Sequence, residues 1–138
     1  MPEIRNFQDF ESFKECRVFV KELGFTLRAP RFKAYRVLND QMQRASISVL
    51  SNFAEGFERD GNAEFIQYLS FSKGSVGELR AQLIYALDQE LIDSDAFKKL
   101  DAIGESATRL LGGLIRYLKR SNRRGRKYDP EKPPTGNR

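Results

Sequence analysis

Along this chain the apolar residues recur every three or four positions, and no run alternates convincingly with period two. That spacing is compatible with helices packed on helices, and it leaves no strand for a sheet. Phe10, Phe13, Cys16, Val20 and Leu23 set a first helix from about Asn6 or Asp9 to Leu23, with Gly24 placed to end it. The linker "GFTLRAPRF" follows, where Pro30 forbids a continuous helix because it lacks an amide hydrogen and clashes with the preceding turn. Tyr35, Leu38, Met42, Ala45, Val49 and Phe53 share one face of a second helix, about Phe32 to Glu55, with Gly56 as its stop. After "ERDG", Asn62 can cap a third helix reaching Leu91 along Phe65, Leu69, Ser72, Val76, Leu79, Leu83 and Ala86. Asp93 or Ser94 caps a fourth, striped by Phe97, Leu100, Ile103, Ala107, Leu110, Leu114 and Tyr117.

Short turns make the later helices antiparallel neighbours, so the expected fold is an all-α, up-down four-helix bundle over residues 1–120. The apolar pattern fails after Leu118. Residues 121–138 hold three of the five prolines and are expected to form a flexible basic tail. No apolar run approaches the roughly 18 residues of a membrane span or a signal sequence, which places the protein in the cytoplasm. The single cysteine, Cys16, has no disulfide partner and stands among apolar neighbours, as a buried hydrophobe does.

Several chemistries are excluded by residue type. With no histidine and one cysteine, neither a zinc site of ordinary spacing nor a histidine-based nucleophilic triad can form. No nucleotide-binding glycine motif is present, and the Gly74–Gly77 pair lies within a helical pattern with no strand before it. Glu55 and Glu78 are conceivable as an acid/base pair, but carboxylates satisfied by local partners are the better expectation. The chain is therefore expected to be no enzyme and to need no cofactor or metal.

The net charge of +5 is local. From Arg116 onward nine Lys/Arg face only Asp129 and Glu131, a net +7; the first 115 residues carry fifteen against seventeen acids, a net −2. Arg116, Lys119, Arg120, Arg123 and Arg124 recur at helical spacing, and Arg126 and Lys127 extend them. Such a cluster neutralises phosphates with counterion release and carries little sequence specificity. The bland alternative is that cations merely favour a helix C-terminus and keep a tail soluble.

One stretch, "QMQRASISVLSNFAEGFERDGNAEFIQYLSFSKGSVGELRAQL", threads Asn52, Glu55, Gly56, Gly74, Ser75 and Glu78 through the two central helices. Glycine in a helix interior costs about 0.5–1 kcal/mol against alanine, so Gly74 and Gly77 imply close approach by a neighbouring helix or subunit. Ser75 and Glu78, one turn apart, would add hydrogen bonds on that face, and Asn52 and Glu55 would tie amides at the helix junction.

In order and spacing this stretch resembles the signature of the bacterial four-helix-bundle family of rRNA intervening-sequence proteins. The matching positions are Gln41, Arg44, Ala45, Ser48, Asn52, Ala54, Glu55, Gly56, Glu64, Phe65, Leu69, Gly74, Ser75, Glu78 and Leu79. Phe53 departs from it, standing where the family usually has isoleucine. The resemblance implies a ring-shaped homopentamer without enzymatic activity, and a related branch serves as the accessory variability protein of diversity-generating retroelements. The combined expectation is a homo-oligomer that binds nucleic acid, RNA before DNA, through its basic C-terminal end. The alternative is an interaction scaffold for a reverse transcriptase or another polymerase.

Overall fold

A computed structural model describes residues 3–122. Within them the chain is all α, with five α-helices and no strand: α1 (Glu11–Arg28), α2 (Pro30–Lys33), α3 (Arg36–Glu58), α4 (Asn62–Asp88) and α5 (Ser94–Asn122). A 3-10 turn at Phe7–Asp9 precedes α1. Asn6 caps it by accepting the Gln8 amide at 2.9 Å, while the Asp9 carboxylate accepts the amides of Arg5 and Asn6 at 2.8 and 3.1 Å. None of the described helices is long and apolar enough to cross a membrane.

The four long helices close a cycle of neighbours in which α3 packs on α4, α4 on α5, α5 on α1 and α1 on α3. Inside it lie Phe19, Leu23, Met42, Val49, Phe53, Phe65, Leu69, Val76, Leu79, Leu83, Leu111 and Leu118, all fully buried. One end of the core is aromatic. Phe10, Phe13, Phe53, Phe57 and Phe65 meet edge to face with ring centroids 5.2–5.8 Å apart. Each such pair adds about 0.5–1.5 kcal/mol beyond the area buried. Phe53 joins three of them, so its bulk fills this end of the core. Cys16 is fully buried within the same core.

Several boundaries differ from the sequence expectation. Gly24 does not end α1; Leu27, one turn beyond Leu23, is buried and continues the stripe through Arg28. What stops α1 is Pro30, which drives Ala29 into extended geometry at φ −63°, ψ 137°. Pro30 then opens α2 as its first residue, where a missing amide hydrogen costs nothing. The expected linker is thus nearly all helical, and α2 plugs the core with Phe32 before a break at Tyr35.

Gly56 likewise does not terminate α3, which runs on to Glu58. The left-handed residue is Gly61, at φ 95° in the turn, so it holds the N-cap of α4 and Asn62 becomes the first buried residue of the helix. At its far end α4 stops at Asp88, short of the expected Leu91, and closes on Glu90 at φ 61°, with the Glu90 amide donating to Leu87 at 3.0 Å and the Leu91 amide to Ala86 at 2.8 Å. Asp93 caps α5 by accepting the Ala96 amide at 2.8 Å.

Candidate nucleic-acid interface

The end of α5 exposes a row of cations. Leu111, Ile115 and Leu118 turn inward, which sends Arg116, Lys119 and Arg120 to solvent over the last two turns. None of the three forms an ion pair with another described residue. The remaining cations expected there, Arg123, Arg124, Arg126 and Lys127, lie outside the described residues, as does the expected tail apart from Ser121 and Asn122, which instead end α5, with Ser121 buried.

Arg116 does not simply extend into solvent. Its guanidinium lies over the bare backbone of Gly112 and Gly113: Nη1 is 3.4 Å from where a Cβ on Gly112 would stand, and Nη2 is 3.8 Å from that of Gly113. Lys73, reaching across from α4, brings its Cε to 3.8 Å of the same Gly112 position. Neither composition nor spacing signalled Lys73, because it lies 43 positions before Arg116 and joins the basic group only through the packing of α4 on α5.

The polar thread separates into several local arrangements. Asn52 donates to the carbonyl and hydroxyl oxygens of Ser48 at 2.9 and 2.8 Å, within its own helix, and does not reach the junction. Ser75 donates to Ser48 Oγ at 3.0 Å and so faces α3. Glu55 takes Arg59 at 2.8 Å, and the Arg59 guanidinium sits 5.0 Å above the Tyr68 ring and 3.9 Å from Glu64. Hydrogen bonds from Arg59, then Tyr68, hold the Glu55 carboxyl below the usual range. Glu78 accepts from Gln82 at 3.3 Å.

Glu55 and Glu78 are not brought together. Tyr68 faces Glu55, and ten residues of helix, about 15 Å, separate it from Glu78. Among the described residues no group of three potential metal ligands gathers.

The glycines divide in two. A Cβ on Gly56 would stand 2.5 Å from Tyr68 Cβ, so it is here that α3 and α4 need a bare residue. Gly74 and Gly77 have no described neighbour within 4 Å, so the close approach expected of them does not occur among the described residues.

A groove of about 610 Å³ runs between α3 and α4, lined by Tyr35, Val37, Gln41, Glu78, Gln82 and Tyr85. Val37 is 72% exposed at its edge.

The family model described as 23S rRNA-intervening sequence protein matches residues 8–113. The chain belongs to that family. Curated proteins offer no significant match. The intervening-sequence match takes in α1 to α4 and most of α5, so it includes Lys73, Gly112 and Gly113 and stops short of Arg116.

Proposed function

We propose that the protein is a non-enzymatic, homo-oligomeric binder of nucleic acid, which uses the basic end of α5 and the sequence beyond it to neutralise backbone phosphates. One observation carries this reading: Arg116, Lys119 and Arg120 are exposed without carboxylate partners among the described residues, and the next seven residues add Arg123, Arg124, Arg126 and Lys127. Unpaired cations hold a counterion atmosphere that a polyanion displaces, whereas cations already in ion pairs gain less. Family membership supports RNA as the first ligand to try. An oligomer would multiply the patch, and multivalent contact raises affinity without new contacts. Gly74 and Gly77, bare and facing outward on α4, support association between copies, for which a pentameric ring is the working geometry.

Fluorescence anisotropy with a labelled RNA hairpin at low salt tests the binding. Affinity should fall steeply as salt rises, and replacing Arg120, Arg123, Arg124 and Arg126 by glutamine should weaken it; no association at low salt ends this reading.

A second reading has its own support. The α3/α4 groove, with Val37 and Tyr85 exposed beside it, suits a protein partner such as a polymerase or reverse transcriptase. Association that survives nuclease and high salt would favour it.

A further inference from the structure

Gly112 and Gly113 stand side by side in α5, where glycine weakens a helix. The fold does not need them bare. Gly104, in the same helix, would drive a Cβ to 3.0 Å of both Phe19 and Arg80, so packing explains it. Among the described residues, a Cβ at Gly112 or Gly113 would meet only the ends of Arg116 and Lys73. What the two glycines provide is a floor, on which a guanidinium from α5 and an ammonium stem from α4 lie down together.

Two like charges on the same floor repel, and nearby acids among the described residues do not relieve them. Asp101 and Glu105, further back on α5, are engaged by Arg80 at 2.9 and 4.0 Å, and Glu105 also by Arg109 at 3.9 Å. Neither Lys73 nor Arg116 pairs with a carboxylate among the described residues. One turn from Lys73, Gly77 leaves open space on the same flank of α4. An anion seated between the two cations would turn the repulsion into two charge-assisted hydrogen-bonding contacts, with the arginine fork suited to phosphate oxygens.

We propose that Lys73 and Arg116, lying over Gly112 and Gly113, form a seat for a backbone phosphate of nucleic acid on the folded α4/α5 face, separate from the basic sequence beyond residue 122. The seat rests on the nucleic-acid reading above and assigns part of that binding to the helical body. It reads no bases, because phosphates position a ligand without specifying its sequence.

Full-length protein carrying Lys73→Gln and Arg116→Gln is compared with a charge-matched control, Lys21→Gln and Lys98→Gln, at two exposed cations elsewhere. The probes are a labelled RNA hairpin and a DNA duplex. The first variant should lose about tenfold in affinity and flatten the dependence of log K on log salt by roughly one, as for one phosphate no longer neutralised, with the control within about twofold of wild type. The loss should be similar on both probes, since both carry the phosphate. Gly112→Ala should also weaken binding, with an unchanged or raised thermal midpoint, by lifting Arg116 from its floor. A Lys73/Arg116 variant no weaker than the control overturns the seat, as does wild-type affinity for poly-glutamate equal to that for RNA. If wild type binds neither nucleic acid, the broader reading falls as well. If wild type binds and only glutamine at Arg123, Arg124, Arg126 and Lys127 removes binding, the seat alone falls.

Discussion

Two glycines one helix apart make opposite demands. Gly56→Ala places a methyl 2.5 Å from Tyr68 Cβ, an atom too near the backbone to swing aside, so α3 and α4 must separate. A loss of about 1–3 kcal/mol is expected from urea unfolding. Gly74→Ala meets open space and should raise stability by about 0.5–1 kcal/mol through helix propensity. Cys16 makes a chemical prediction, since burial pushes its thiol up to about 12. It should not react with a disulfide reagent at pH 8 in the native protein and should react fully in denaturant. Acid acts on other residues. The amides of Arg5 and Asn6 hold Asp9 below the usual carboxylate range, as Arg59 and Tyr68 hold Glu55. A carboxylate whose folded pKa is depressed contributes stability above its unfolded value, which is lost as pH falls through the folded one. Urea midpoints should therefore drop below about pH 4, and drop less in Asp9→Asn and Glu55→Gln.

The helices end where backbone chemistry requires it, and not always at glycine. The sequence shows Gly24 and Gly56 as stops, yet both lie inside helices, because apolar packing continues past each, through buried Leu27 and through half-buried Phe57. Pro30 was legible as a break. That it also begins a helix depends on Phe32 finding a place in the core. The corner this creates is held by Asn39, buried in α3, whose Nδ2 donates to the Leu27 carbonyl at 2.7 Å. Leu27 lies in the last turn of α1, where carbonyls lack helical partners, so Asn39 closes α1 from another element. Replacing Asn39 by leucine should cost about 1–3 kcal/mol, the penalty of an orphaned buried carbonyl, read as a lower urea midpoint with unchanged slope. Nothing in the local sequence marks that bond. Its partners are twelve residues apart and meet only when α1 and α3 pack. The end of α4 offers a gain instead. Glu90 holds a left-handed φ of 61° that a side chain tolerates poorly, and Glu90→Gly should stabilise by about 1 kcal/mol.

For the whole molecule, the expected outcomes concern charge and association. Sedimentation should give a mass several times that of the subunit, and Gly74→Leu, filling the outward notch on α4, should shift it toward monomer without unfolding the chain. The charge asymmetry behind the nucleic-acid reading is covalent and needs no fold, since residues from Arg116 onward carry the excess wherever they lie. So too the helical class: spacing of three and four has only one regular backbone that can gather it into a core, and the described residues form helices and no strand. Family membership was legible for the same reason, as a fixed order of small and polar residues at helical intervals. What spacing could not reveal is which helix faces which. The packing of α3 on α4 turned Ser75 inward to Ser48 and made Gly56 the close contact, leaving Gly74 outside. The packing of α4 on α5 carried Lys73 across 43 positions of chain to lie with Arg116. A period along one helix gives the face a residue occupies; only the neighbour's position determines whether that face meets a backbone, a cation or water.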